Sequence, residues 1–100
     1  MLTRLVLPEM VERGQGVVTN ISSVNGIQAL GNPAYSAAKA GLISFTQTVA
    51  TEYGPKGIRC NVVLPGTVET PVWKYRVEAR PDVFEKVKSW YPVGRVGRPE

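Results

Sequence analysis

Hydrophobic residues in the first part of the chain follow two different spacings. One set recurs at helical spacing and predicts a helix that ends near Gly14; it comprises Leu2, Leu5, Val6, Met10 and Val11. Residues 16–22 (GVVTNIS) then form a short run rich in β-branched side chains. Such a run is typical of a strand that is buried on both faces of a parallel sheet.

The middle of the chain continues this alternation of helix and strand. A helix is predicted from Pro33 to about Tyr53, because proline suits a first turn and a hydrophobic stripe follows it. The stripe consists of Leu42, Phe45, Val49 and Tyr53. The sequence GPKG ends this helix, and residues 58–66 (IRCNVVLPG) predict a second buried strand. A strand, a long helix and a strand in this order predict a right-handed βαβ unit with parallel strands.

Two short helices and a loop are expected in the last third of the chain. Residues 70–79 and 82–90 each predict a short helix, with Thr70 and Asp82 as candidate N-caps. Residues 91–100 (YPVGRVGRPE) are rich in glycine and proline and therefore predict a loop.

Composition narrows the chemistry that the chain can perform. The 100 residues include no histidine and one cysteine, which excludes Ser-His-Asp and Cys-His mechanisms, histidine metal ligands and a thiolate metal cluster. Any general base must therefore be Tyr, Lys, Asp or Glu. The net charge of +4 is spread along the chain, which disfavours nucleic-acid binding. With no apolar stretch of bilayer length and no signal peptide, we expect a cytoplasmic protein without a membrane or metal partner.

The predicted topology brings several polar and turn-forming residues to one edge of the sheet. In an open parallel α/β sheet, ligands bind outside the carboxyl ends of the strands. The residues placed there come from the two strand ends and from the first turns of the helix between them. They are Ser22, Ser23, Tyr35, Lys39, Pro65 and Gly66. We therefore expect a binding cleft at this edge.

Tyr35 and Lys39 are four residues apart, so their side chains share one face of the predicted helix. A free tyrosine titrates near ~10 and is a poor base at neutral pH. An ammonium ~4 Å away favours the ionised phenol by about 4 kcal/mol at an effective dielectric of ~20. The helix N-terminus adds only about 0.3 to 1 kcal/mol, so the lysine dominates. Such a phenol can exchange a proton with an alcohol or a carbonyl oxygen.

Four segments resemble, in order and spacing, the second half of the short-chain dehydrogenase/reductase core. They are VTNISS (18–23), NPAYSAAKAGL (32–42), GIRCNVVLPGTVET (57–70) and YPVGRVGRPE (91–100). The resemblance spans essentially the whole chain. It implies an α/β fold, namely a partial Rossmann-like doubly wound parallel sheet that is incomplete at both ends. Residues 1–100 would then form a partial NAD(P)-binding domain that contains the catalytic segment.

The same resemblance implies a role for each candidate residue. Tyr35 is expected to be the catalytic acid/base and also a cofactor-binding residue. Lys39 is expected to make the Tyr35 phenol more acidic and to hydrogen-bond the nicotinamide ribose. Ser23 is expected to hold the reacting oxygen, with Ser22 as the alternative hydroxyl. The segment expected to pack on the nicotinamide and hydrogen-bond its amide contains Pro65, Gly66, Val68 and Thr70. Thr70 also fits a plain N-cap.

The reaction implied is hydride transfer between NAD or NADP and a small alcohol or ketone. The choice of NAD or NADP stays open, because the family's glycine-rich phosphate loop and its cofactor-selecting residue are absent from this sequence. The resemblance also implies that the intact protein is a homodimer or homotetramer. An alternative hypothesis is a non-enzymatic truncated remnant that only associates with related subunits. Trp73, Tyr75 and Trp90 could form a substrate lid or pack in a core.

Overall fold

The structure, a computed structural model, describes residues 2–28 and 30–100. Its chain divides between Leu64 and Pro65 into two compact units. The first unit contains helix α1 (Leu2–Arg13), strand β1 (Gly16–Ile21), helix α2 (Pro33–Tyr53) and strand β2 (Ile58–Val63). The second contains the short helices α3 (Lys74–Ala79) and α4 (Val83–Lys88).

The two strands pair in parallel, in a register that runs from Gly16 opposite Ile58 to Ile21 opposite Val63. The backbone N–H of Ser22 adds a further bond to the Val63 carbonyl oxygen at 2.8 Å. The predicted α/β class and parallel βαβ arrangement are therefore confirmed. Both strands end at the same edge of the sheet.

Helix α2 runs from Pro33 to Tyr53, as its hydrophobic stripe predicts. A 3₁₀ turn at Gly54–Lys56 ends it, and Gly57 follows with a positive φ of 81°. A Cβ atom at Gly57 would overlap the backbone carbonyl oxygen of Gly14. Glycine is therefore required there on both conformational and steric grounds.

The core of the first unit lies between the two helices and one face of the sheet. Its buried members are Leu7, Val49, Ile58 and Cys60. Half-buried side chains that pack around them are Met10, Val11, Val18, Phe45, Ala50 and Tyr53. Burial raises the pKa of the Cys60 thiol, because the thiolate is poorly solvated there. Cys60 therefore behaves as a small apolar core residue, as its position in a strand suggests.

The prediction that both strands are buried on both faces is wrong for this chain. Burial alternates along each strand, and Val17, Ile21 and Val63 are 51%, 56% and 49% exposed. Helices α1 and α2 cover one face, and within the described residues of the first unit no helix covers the other. A run of β-branched residues predicts the capacity for two-sided burial, whereas the actual burial depends on how many layers are present.

Helix α1 also buries a narrower stripe than its hydrophobic positions predict. Thr3 and Leu7 are its buried residues, while Leu2 and Leu5 are exposed. Positions 3, 7 and 10 to 11 form one stripe at helical spacing, so the residues beside that stripe face away from the core.

The second unit contains the two predicted short helices and the predicted loop. A 3₁₀ turn at Pro71–Trp73 precedes α3. Thr70 and Asp82 occupy the positions before these helical segments, but neither side chain makes a capping hydrogen bond, so the predicted side-chain caps are wrong. No helix among the described residues is long and apolar enough to cross a membrane.

Candidate active site

Tyr35 lies in the first turn of α2, where Asn32 fixes the start of the helix. The Asn32 side-chain oxygen accepts hydrogen bonds from the backbone N–H groups of Ala34 at 2.9 Å and Tyr35 at 3.2 Å. This is an N-cap followed by proline, which holds the first turn in place. The Tyr35 side chain is 48% exposed. Its hydroxyl is thus presented to the surface from a fixed backbone.

The ammonium group of Lys39 is held between the strand end and the tyrosine. Its Nζ donates to the backbone carbonyl oxygen of Ile21, the last residue of β1, at 3.2 Å. The same nitrogen lies 5.6 Å from the centre of the Tyr35 ring. A cation at that distance is attracted by the ring, by about 0.5 to 1 kcal/mol at an exposed site. The helix spacing predicted this pairing, but it did not predict the Ile21 contact.

Ser22 follows β1 directly and is buried, with 4% of its surface exposed. Its hydroxyl donates to the backbone carbonyl oxygen of Lys39 at 2.8 Å. Strand β1 is therefore hydrogen-bonded to α2 at the turn that carries the lysine.

Ser23 is buried as well, and its hydroxyl interacts with a neighbouring asparagine. It donates to the Asn25 side-chain oxygen at 3.1 Å and accepts from the Asn25 backbone N–H at 3.2 Å. The Asn25 amide nitrogen in turn donates to the Leu30 carbonyl oxygen at 2.7 Å, and the Ser36 hydroxyl donates to that oxygen at 3.0 Å. This chain of hydrogen bonds connects Ser23 to the first turns of α2.

Gly26 lets this loop approach α2 closely. A Cβ atom there would lie 3.0 Å from the carbonyl carbon and oxygen of Lys39 and 2.8 Å from a methyl carbon of Ile43. Such distances are shorter than ordinary contacts, so a larger residue would push the loop away from the helix.

Within the second unit, the predicted nicotinamide segment is held by two parts of the C-terminal loop. The Tyr91 hydroxyl accepts from the Thr67 backbone N–H at 2.7 Å and donates to the Thr67 hydroxyl at 3.0 Å. Val68 forms a parallel bridge with Gly97. A Cβ atom at Gly66 would lie 3.0 Å from the Tyr91 ring. Contacts with Tyr91 and Gly97 therefore hold the backbone of the segment that contains Pro65, Gly66, Val68 and Thr70.

The first unit therefore brings Ser22, Tyr35 and Lys39 together at the carboxyl edge of the sheet, with Ser23 beside Ser22. That Pro65 and Gly66 share this edge stays a prediction. Asn25 and Asn32 are not among the residues that the sequence predicts for the site. An asparagine directly before the proline of a first turn is a recognised helix start, so Asn32 could have been found.

Comparison with known proteins decides the family. A family model for short chain dehydrogenases matches residues 1–81. The chain belongs to this family. The short-chain dehydrogenase resemblance seen in the sequence is thereby confirmed.

Individual relatives and solved structures are consistent with this family assignment. An uncharacterised oxidoreductase of Schizosaccharomyces pombe is 54% identical over 98 residues, which are 97% of this chain and 38% of that protein. A short-chain dehydrogenase/reductase oxidoreductase from Burkholderia thailandensis has 53% identity and a TM-score of 0.90, with 98% of this chain and 39% of that one covered. A Brucella melitensis 3-oxoacyl-[acyl-carrier protein] reductase with bound NAD has 34% identity and a TM-score of 0.83, covering 98% and 35%.

These matches confirm the partial doubly wound α/β fold. They also show that this short-chain dehydrogenase sequence spans about 40% of the length of the proteins that it matches.

Proposed function

We propose that this chain carries the catalytic segment of an NAD(P)-dependent oxidoreductase that transfers a hydride between nicotinamide and a small alcohol or ketone. In this proposal residues 1–100 are part of the NAD(P)-binding domain, and the activity belongs to a protein of the length of its relatives. The observation that carries the proposal is the position of the Lys39 ammonium, which bonds to Ile21 at the strand end and lies 5.6 Å from the Tyr35 ring centre.

Tyr35 is the proposed proton-transfer group. The residue is 48% exposed, which is compatible with access of an alcohol or carbonyl oxygen to its hydroxyl. With no histidine in the sequence, a tyrosine beside a lysine is the chain's best candidate for a general acid or base near neutral pH. In the oxidation direction the phenol takes the alcohol proton, and in reduction it returns a proton to the carbonyl oxygen. Ser23 is proposed to hold that oxygen.

The residues of both units fit a nicotinamide dinucleotide, each by its own donor groups. An ammonium has three N–H donors and the Ile21 carbonyl takes one, which leaves donors at Lys39 for ribose hydroxyls. In the second unit, the Thr70 hydroxyl makes no capping bond and is proposed to bind the nicotinamide amide. When bound, the cofactor supplies the carbon that gives or accepts the hydride.

The direct test is an activity assay on a protein that joins this chain to the phosphate-binding half of a short-chain dehydrogenase. Absorbance of the reduced nicotinamide is followed with a panel of small alcohols and ketones. Turnover with any of them supports the proposal. Cofactor binding without turnover across the panel favours the non-enzymatic alternative, which the partial coverage of the relatives makes worth testing.

The isolated 100-residue chain is expected not to bind NADH or NADPH at micromolar concentration. Most of the binding energy for a dinucleotide comes from a glycine-rich loop and a helix N-terminus that hold its phosphates, and this sequence has no such loop. Isothermal titration calorimetry on the purified chain measures this. Saturable 1:1 binding would show that these 100 residues suffice to bind the dinucleotide. It would contradict the expectation that binding needs a phosphate-binding loop that this sequence lacks.

The intact protein is expected to be a homodimer or homotetramer. Helices α1 and α2 form an open groove of about 590 Å³, whose apolar lining includes Leu7, Pro8, Val11 and Phe45. Leu2 and Leu5, which precede Leu7 in the same helix, are exposed. Apolar surface of this kind is typical of contacts between subunits. Light scattering at micromolar concentration checks the state, and a monomer would contradict the prediction.

A further inference from the structure

Ser22 makes two backbone contacts that fix the strand end against the rest of the first unit. Its N–H donates to the Val63 carbonyl oxygen at 2.8 Å, which continues the pairing of the strands. Its hydroxyl donates to the Lys39 carbonyl oxygen, also at 2.8 Å. The side chain is almost fully buried, so this hydroxyl proton is not shared with solvent.

Lys39 is thereby held at both of its ends by consecutive residues of the same strand. Ser22 binds its backbone carbonyl, and the Ile21 carbonyl accepts from its ammonium at 3.2 Å. The close approach of Gly26 to the Lys39 carbonyl restricts the same turn from the loop side. The lysine backbone and the acceptor of its ammonium therefore keep a fixed separation, although the lysine side chain is long and flexible.

We propose that Ser22 is a positioning residue for Lys39, which sets where the ammonium lies relative to Tyr35 and to a bound cofactor. This inference rests on the function proposed above and assigns the first serine of the Ser22-Ser23 pair. Its hydroxyl donates its single proton to the helix backbone, so it has no proton to offer a substrate carbonyl oxygen. Activity depends on Ser22 through the lysine.

The first experiment replaces Ser22 in the intact dehydrogenase. Ser22→Ala is expected to weaken NAD(P)H binding and to lower kcat/KM, each by about tenfold, the usual consequence of one lost buried hydrogen bond. Ser22→Cys, with a similar volume and a weak donor, is expected to give an intermediate loss. It also keeps the test possible where the alanine variant folds poorly. Cofactor binding is measured by fluorescence titration, independently of turnover.

A double-mutant cycle with Lys39→Met separates positioning from general stability. In the Lys39→Met background, Ser22→Ala is expected to cause no further loss of cofactor affinity or kcat/KM, since the ammonium it positions is gone. It is expected to lower Tm equally in both backgrounds, because its acceptor is a backbone carbonyl that remains. Activity and stability should thus respond differently.

Thr46→Val is the matched control on the same helix. The Thr46 hydroxyl is buried, donates to the Leu42 carbonyl at 2.8 Å and accepts from the Asn20 amide at 2.9 Å. The variant should lower Tm with cofactor affinity unchanged.

The proposal is overturned if Ser22→Ala behaves like Thr46→Val, or if its activity loss is as large with Lys39→Met as without it. Unchanged constants in Lys39→Met alone would refute the role of Lys39, and the role of Ser22 with it, whereas an unmodified protein without turnover would refute the proposed function.

Discussion

Replacing Tyr35 with phenylalanine is expected to lower kcat by ~10²- to 10⁴-fold, the range typical of a lost acid/base group. The change removes one oxygen atom and nothing else. The side chain is 48% exposed, so no buried packing depends on its hydroxyl. The capping bonds from Asn32 end on backbone N–H groups and remain. The ring that attracts the Lys39 ammonium also remains.

Tm should therefore stay close to that of the unmodified enzyme, and cofactor affinity should change far less than kcat. Steady-state kinetics, cofactor titration and thermal unfolding of the same preparation measure the three quantities. Tyr53→Phe is the matched control, because Tyr53 ends the same helix and has the Lys56 ammonium 4.9 Å from its ring centre. That variant should keep full activity. If Tyr35→Phe also keeps most of its activity, Tyr35 is only a helix residue beside a lysine.

The sequence predicts α2 and its surroundings well because every local signal there agrees. Pro33 begins the helix, its hydrophobic stripe continues to Tyr53, and Gly57 has the backbone conformation that only glycine adopts readily. Parallel pairing of the strands then follows from the length of the connection between them. The resemblance to short-chain dehydrogenases, read from four motifs, is confirmed by the family match.

The hydrogen bonds that orient the candidate site could not be read from the sequence. A serine after a strand can bind a ligand, a loop or a helix carbonyl, and only the packing of α2 on the sheet gives Ser22 its partner at Lys39. Side-chain capping by Thr70 failed for a related reason. A favourable residue type at a helix start permits a cap, whereas the side-chain rotamer and local backbone decide whether the bond forms.

Two-sided burial of the strands is a property of neighbouring layers and not of the strand sequence. The exposed side chains of Val17, Ile21 and Val63 all lie on one face, and apolar side chains in such numbers suit a sheet with helices on both sides. The chain spans about 40% of its relatives. The apolar pattern of both strand faces is therefore typical of a doubly wound sheet, of which the described residues form one part.

Replacing Lys39 with methionine is expected to impair both cofactor binding and proton transfer. Methionine has a similar length and keeps the apolar stem, but it loses the ammonium that donates to Ile21 and lies by the Tyr35 ring. A lost charged hydrogen bond to a ribose hydroxyl weakens binding by about tenfold to a hundredfold. The substitution also removes the positive charge beside the Tyr35 ring, so the rate at saturating cofactor is expected to fall by about tenfold.

The two effects are separable by experiment. Saturating cofactor is expected to restore the part of the loss that comes from weaker binding, whereas kcat stays low. Lys39→Arg keeps the positive charge on a group of different shape. Its kcat and cofactor affinity should therefore lie between those of the unmodified enzyme and of Lys39→Met. Lys56→Met removes the ammonium near Tyr53 and is the matched control, with unchanged kinetics expected. If the Lys39→Met enzyme keeps both its cofactor affinity and its kcat, Lys39 only ties α2 to the strand end, and the Tyr35 phenol works without it.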